Sequence, residues 1–165
     1  MIEIELLTDK TLREAVNLLN RVFQNEEEEA PGDELPASLN PKKYKDFLLE
    51  TQISELRYWV AIDNTGKVVG TTGLYCYSYD EHEAYWLGWF CVHPDLRKRG
   101  IGNKLLRFSI VKARKSGKKF LRLYTSTNPN ELNAHRLYKK HGFRLFKKES
   151  LGDTDLKKLY YELKL

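Results

Sequence analysis

The spacing of hydrophobic residues changes several times along the chain, and each change marks an element. Ile2, Ile4 and Leu6 alternate with Glu3 and Glu5, the period of a half-buried strand. Thr11 and Glu14 fit a capping box, and Leu12, Ala15, Val16, Leu19, Val22 and Phe23 then recur at helical spacing, which predicts a helix of about four turns. Residues 25–40 are acidic and hold Pro31, Gly32 and Pro36, so they read as a long loop of the kind that is often functional. Asn40-Pro41 predicts a helix start, with Tyr44, Phe47 and Leu48 as its apolar face. From residue 56 the period becomes two, predicting strands over 57–62, 68–79 and 84–92, the first two joined by a turn at Asn64-Thr65-Gly66. Leu105, Leu106, Ile110 and Ala113 form the inner face of a helix over 102–116, which ends at Gly117. A short strand over 120–124, a helix over 130–141 closed by Gly142, and a strand opening at 143–146 follow. Residues 155–165 suit a helix or a strand; the tyrosines and the preceding Gly152-Asp153 turn favour the strand. The order β-α-α-β-β-β-α-β-α-β-β predicts one α/β domain over 1–165, a mixed sheet with helices on its faces.

Composition narrows the class. The chain has 165 residues, of which 41% are hydrophobic and 31% charged, which suits a folded domain rather than a disordered chain. No apolar run approaches the ~20 residues of a membrane span. The alternating acidic start is unlike a signal peptide, so the cytoplasm is the expected location. Pairing 67–79 with 84–93 as a hairpin about residues 80–83 sets Cys76 opposite Leu87 and Cys91 opposite Thr72. That keeps the sulfurs on the order of 13 Å apart, too far for a bridge. No metal-ligand spacing is present, and no metal is expected.

Charge is unevenly distributed. Ten basic residues and no acid fall between Arg97 and Lys119, whereas six acids and no base fall between Val22 and Pro41 (Glu26 to Glu29, Asp33 and Glu34). The basic block includes Arg97, Lys98, Arg99, Gly100, Ile101, Gly102 and Asn103, where a strand ending at Val92 passes through a loop into a helix. The first amides of a helix lack internal partners, and the macrodipole makes that end positive. Glycines permit close approach there. Such an end suits a diphosphate. The stretch is not a Walker loop, and Leu105 stands where a dinucleotide fingerprint needs a third glycine.

A second segment runs Asn133-Ala134-His135-Arg136-Leu137-Tyr138-Lys139-Lys140-His141-Gly142-Phe143. The two segments together resemble the GNAT superfamily of N-acetyltransferases. Arg97-Lys98-Arg99-Gly100-Ile101-Gly102 matches its R/Q-x-x-G-x-G/A signature, Val92-His93-Pro94 the preceding V-x-P, and Ala134 to Phe143 the later A-x-x-L-Y-x-x-x-G-F. The likeness covers residues 56–146.

The resemblance implies a mostly antiparallel sheet with a parallel β-α-β crossover at the cofactor site, and acetyl-CoA as cosubstrate. It implies that amides of Arg99, Gly100, Gly102 and Asn103 hold the diphosphate, and that main-chain groups of Phe90, Cys91 and Val92 hold the pantetheine arm. One of those amides would polarise the thioester carbonyl. Tyr138 matches the tyrosine that protonates the leaving sulfur; packing alone is its other reading. In place of the family's asparagine seven residues before that tyrosine stands Glu131, which leaves Asn130 and Asn133 as candidates. The family's glutamate midway along the strand is also missing. Glu83 is the nearest upstream carboxylate, a candidate base or simply a solvated turn residue, and a water held by Tyr77 or Tyr85 is the other option. The four histidines read as surface or packing residues. Tyr75, Tyr77, Tyr79, Tyr85, Trp86 and Trp89 read as core or as an aromatic wall of the acceptor pocket. The acidic stretch 26–34 falls where the family places part of its acceptor site, so a cationic amine is expected, either a small molecule, a polyamine or a peptide amine. Rival readings are a CoA-binding protein with another acyl donor or no catalysis and, more remotely, a basic nucleic-acid-binding module. No membrane or nucleic-acid partner is expected, and a homodimer is left open.

Overall fold

In the computed structural model, residues 1–24 and 32–165 are described. The elements are β1 (Glu3–Leu6), α1 (Asp9–Val22), α2 (Glu34–Leu39), α3 (Lys45–Glu50), β2 (Ile53–Ile62), β3 (Val68–Tyr77), β4 (Ala84–Val92), α4 (Ile101–Arg114), β5 (Phe120–Ser126), α5 (Leu132–Lys140), β6 (Arg144–Ser150) and β7 (Lys157–Lys164). Short 3-10 turns precede α4 and α5, at Pro94–Leu96 and Pro129–Glu131. The seven strands form one mixed sheet in the order β1-β2-β3-β4-β5-β7-β6. Among the described residues only the β4–β5 pair is parallel, and α4 makes that crossover. The predicted α/β class and the strand reading of the C-terminal segment both hold.

Alternation along β2 separates the two faces of the sheet. Trp59 packs with Leu106, Ile110 and Ala113 of α4 and with Tyr138 of α5, while Tyr58 and Val60 pack with Ala15, Leu18 and Leu19 of α1 and Leu35 of α2. Each face is therefore covered by its own helices.

Several expectations are corrected. Helix α1 begins a turn early, at Asp9: Thr8 is its N-cap, and the Thr8 amide donates to Thr11 Oγ1 at 3.1 Å. Glu14 instead accepts from the Val68 amide at 2.9 Å, tying α1 to the start of β3. The loop predicted over 25–40 contains α2, whose Leu35 and Ala37 are buried; the short apolar spacing Leu35–Ala37 was outweighed by the flanking acids and prolines. Residues 25–31, with Glu26 to Glu29, lie outside the described residues. Residues 41–44 form turns, and α3 starts only at Lys45. The β3–β4 register also differs. Leu74 faces Leu87 and Gly73 faces Gly88, but Thr71 faces Cys91. Two residues of β4, Trp89 and Phe90, thus oppose Thr72 alone, making a β-bulge in which Trp89 has φ +33°. Both cysteines are buried and unbridged, as expected.

Candidate active site

Strands β4 and β5 are paired only at their beginnings, at Ala84↔Phe120, Tyr85↔Leu121 and Trp86↔Arg122. Beyond Trp86 they splay apart. The side of β4 that would face β5 is left without a strand from Leu87 to Val92, and a cleft of ≈ 1000 Å³ opens there. Its lining includes Glu34 and Tyr58 from the α1 face and Leu137 and Tyr138 from the α5 face. The cleft therefore passes through the gap in the sheet.

The bulge shapes the β4 wall. The Thr71 hydroxyl donates to the Trp89 carbonyl at 2.6 Å, satisfying a group the bulge removes from the ladder. The Thr71 hydroxyl also lies 3.3 Å from Cys91 Sγ. Burial pushes the Cys91 thiol up to about 11, so at neutral pH it stays protonated and is a poor nucleophile.

Below this wall is the start of α4. Gly100 caps the helix with φ +83°, a left-handed conformation that suits glycine. The first helical bond runs from the Lys104 amide to the Gly100 carbonyl at 3.0 Å. The amides of Ile101, Gly102 and Asn103 therefore have no partner within the helix. The Ile101 side chain is buried with Ala61, Val69 and Leu105, which anchors the turn. Gly102 lies beneath Val92, Phe90 and Leu137: a Cβ placed there would meet all three at ordinary contact distance, 3.5–3.8 Å. The Arg97 guanidinium folds back, its Nε donating to the Val92 carbonyl at 3.3 Å.

The two sequence segments meet across α4 and α5. His141 donates from Nε2 to Asn103 Oδ1 at 2.7 Å. Tyr138 is only 6% exposed, and its ring lies 6.0 Å from Phe90, 5.9 Å from Phe143 and 6.4 Å from Tyr161. Burial raises its pKa well above that of a free phenol, which keeps it a proton donor.

Of the candidate residues, Phe90, Cys91, Val92, Arg97, Lys98, Gly100, Ile101, Gly102, Asn103, Asn130, Asn133 and Tyr138 all line the cleft. Arg99 is exposed and outside the lining. Glu83 is also outside it, at the opposite end of β4, where its carboxylate pairs with Arg122 Nη1 at 3.0 Å. Arg122 is held as well by Asp80 and Glu162, each at 3.2 Å, so Glu83 belongs to a structural ion cluster. Glu131 lines the cleft but is occupied: it accepts from the Ser126 amide at 3.0 Å, the Thr125 hydroxyl at 3.1 Å and the Ser126 hydroxyl. His135 packs against Tyr161 and meets the Thr125 hydroxyl at 3.2 Å.

One lining residue with chemistry to offer, Tyr58, escaped the sequence reading. Tyr58 of β2 lies in register with Gly73 and then Gly88. A Cβ on Gly73 would sit 2.2 Å from the Tyr58 ring, and one on Gly88 2.5 Å from its hydroxyl. The glycines form a flat seat for the tyrosine across the sheet. Their place within aromatic strands was the available signal. Glu34, which the sequence offers only as one member of the acidic stretch 26–34, lines the cleft at the start of α2.

The family model of the acetyltransferase (GNAT) domain matches residues 54–145. The match covers more than half of the chain and both motif segments, and the protein belongs to the GNAT acetyltransferase family. Solved structures agree in fold. A GNAT-family acetyltransferase from Staphylococcus aureus Mu50 is similar with a TM-score of 0.70 at 21% identity, over 99% of both chains. The ribosomal-protein-S18-alanine N-acetyltransferase of Escherichia coli is similar with a TM-score of 0.69 at 18% identity, over 99% of this chain and 94% of its own. A Salmonella typhimurium structure described as an acetyltransferase with its cofactor acetyl-CoA is similar with a TM-score of 0.72 at 16% identity, over 99% and 93%. Among curated proteins, none matches the chain in sequence. No helix among the described residues is long and apolar enough to cross a membrane.

Proposed function

We propose that the protein transfers an acetyl group from acetyl-CoA to a primary amine by direct attack. The carrying observation is that one cleft holds a helix end with unpartnered amides, an open strand edge and a buried tyrosine. The amides of Ile101, Gly102 and Asn103, with Gly100 and the charges of Arg97 and Lys98, would hold the diphosphate. The edge from Phe90 to Val92 would add the pantetheine arm as an extra strand, with Asn130 and Asn133 at the rim. Acetyl-CoA supplies the activated acyl carbon.

Tyr138 acts at the leaving group. As the amine nitrogen bonds to the thioester carbon and the C–S bond breaks, its hydroxyl proton goes to sulfur, and the phenolate recovers a proton from the new amide nitrogen. The protonated Cys91 thiol supports this one-step route over an acyl-enzyme. Tyr75 and Tyr77 also line the cleft, and their rings favour a cationic amine through cation–π contact.

The test has two arms. Acetyl-CoA at low millimolar concentration should raise Tm, and a panel of small amines, polyamines and peptide amines should release free thiol from it. An absence of both responses overturns the reading. A Tm rise without thiol release points instead to CoA binding without amine transfer.

A further inference from the structure

We propose that Glu34 is the catalytic base: its carboxylate receives the acceptor's ammonium group and takes its proton. This rests on the amine-transfer reading above and names the one residue that reading leaves open.

Among the described residues, two carboxylates line the cleft, Glu34 and Glu131. Glu131 is fully engaged by Thr125 and Ser126. The Glu34 carboxylate is met by the Trp89 side chain and by the Glu34 and Gly32 amides, yet its buried Oε2 keeps no well-formed hydrogen bond, and no ion pair among the described residues involves Glu34. A buried carboxylate oxygen without a donor is costly, and an ammonium entering the cleft provides one. Among the described residues three cations line the cleft: Arg97 and Lys98 flank the start of α4, and Lys158 lies 3.9 Å over the Tyr124 ring. The start of α4 thus suits an anion, and the Glu34 carboxylate suits a cation.

The position is supported. Leu35 and Ala37, which follow Glu34, are buried, so α2 is seated on the sheet. Trp89, whose side chain steadies the Glu34 carboxylate, sits in the β4 bulge against Phe23 at 5.1 Å. The next residue, Phe90, meets the Tyr138 ring at 6.0 Å. A short contact path, Glu34 to Trp89 to Phe90 to Tyr138, spans the gap in the sheet. It places base and acid on opposite faces, with the thioester between them.

Burial raises the Glu34 pKa above the usual carboxylate value, which makes it a better proton acceptor. Among the described residues, the titratable groups facing it are Tyr58 of β2 and Asp33 beside it. Burial holds Tyr58 protonated. The step balances. Glu34 takes one proton from the ammonium, and the freed lone pair forms the C–N bond. The C–S pair leaves on sulfur, Tyr138 exchanges its proton as above, and Glu34 releases its own to water.

The experiment compares Glu34→Gln with the wild type, using the amine that gives the fastest thiol release. kcat/KM for that amine should fall about 10²-fold. The Tm rise with acetyl-CoA should be unchanged. Tm without ligand should hold or rise, because a buried charge is removed. The variant's rate should climb about tenfold per pH unit towards the pKa of the free amine, near ~10.4 for a lysine-like group, while the wild-type rate levels off. An unchanged kcat/KM in the variant overturns the base role and leaves amine transfer intact. A pH profile parallel to wild type, or matched losses of Tm and acetyl-CoA response, also overturns it. If the wild type releases no thiol with any amine, the transfer reading and the base role fall together.

Discussion

The wall of the cleft from Phe90 to Asn103 is one uninterrupted stretch of chain, whereas the opposite wall draws Phe23, Glu34, Tyr58, Tyr75 and Tyr77 from separate elements. The first wall presents backbone: unpartnered amides at a glycine-capped helix and an open strand edge. The second presents side chains: phenols, a phenyl ring and one carboxylate. A backbone wall fits a cofactor shared by a whole family, because amides need no particular neighbour. A side-chain wall is where each protein sets its own acceptor. The two walls should therefore fail separately when perturbed.

The largest effect is expected where they meet. Tyr138→Phe should lower turnover roughly 10²-fold or more, with the acetyl-CoA-induced Tm rise unchanged. Unchanged turnover would reduce Tyr138 to a packing residue. Next, Gly73→Val forces a side chain into the Tyr58 ring, where even a Cβ would sit 2.2 Å away. It should cost about 1–3 kcal/mol by denaturant unfolding and raise KM for the amine while sparing acetyl-CoA binding. Equal losses at both ends would show that the walls are one unit. A smaller cost is expected at the cofactor end. Gly100→Ala has open space around it but a φ of +83°, so it should lose about 1–2 kcal/mol from backbone strain alone. Gly102→Ala fits its surroundings and should leave Tm unchanged or raised.

The smallest effect is a pH dependence. Burial lowers the pKa of His135, and burial with the nearby Lys140 and Arg107 lowers that of His141. A histidine whose folded pKa lies below its unfolded one favours folding when neutral. Stability is then full above the unfolded value, near ~6.5, and declines as pH falls through it. Tm should drop between about pH 7 and about pH 5, and His141→Gln should make the drop shallower. Because protonated His141 keeps the Nε2–H that donates to Asn103 at the start of α4, acid should lower Tm without breaking that contact.

How much was legible follows the same division. The helix read over 102–116 and the turn at Gly100 depend on neighbours within a few residues, so spacing revealed them, whereas Tyr138 stood out through the resemblance of residues 134–143 to the family's motif. The ambiguous end became strand β7 because it pairs on both sides, with β5 and β6, partners that lie far off in sequence. The bulge at Trp89 and Phe90 moved Cys91 opposite Thr71, a one-residue slip that alternation within a single strand does not encode. Glu83 looked available because the chain leads from it into β4. Only the fold shows Arg122 drawing it into a cluster with Asp80 and Glu162.

By itself, the amino-acid sequence determined the fold class, the order of most elements and the glycine turn that opens α4, since these arise from periodicity, glycine and local charge. Tertiary structure alone decided which carboxylate enters the cleft and which tyrosine lies flat across the sheet. Glu34 reaches that position because α2 is seated on the sheet by Leu35 and Ala37, and Tyr58 because two distant glycines leave it room. Burial and register are properties of packed neighbours, and those neighbours are assembled only when the chain folds.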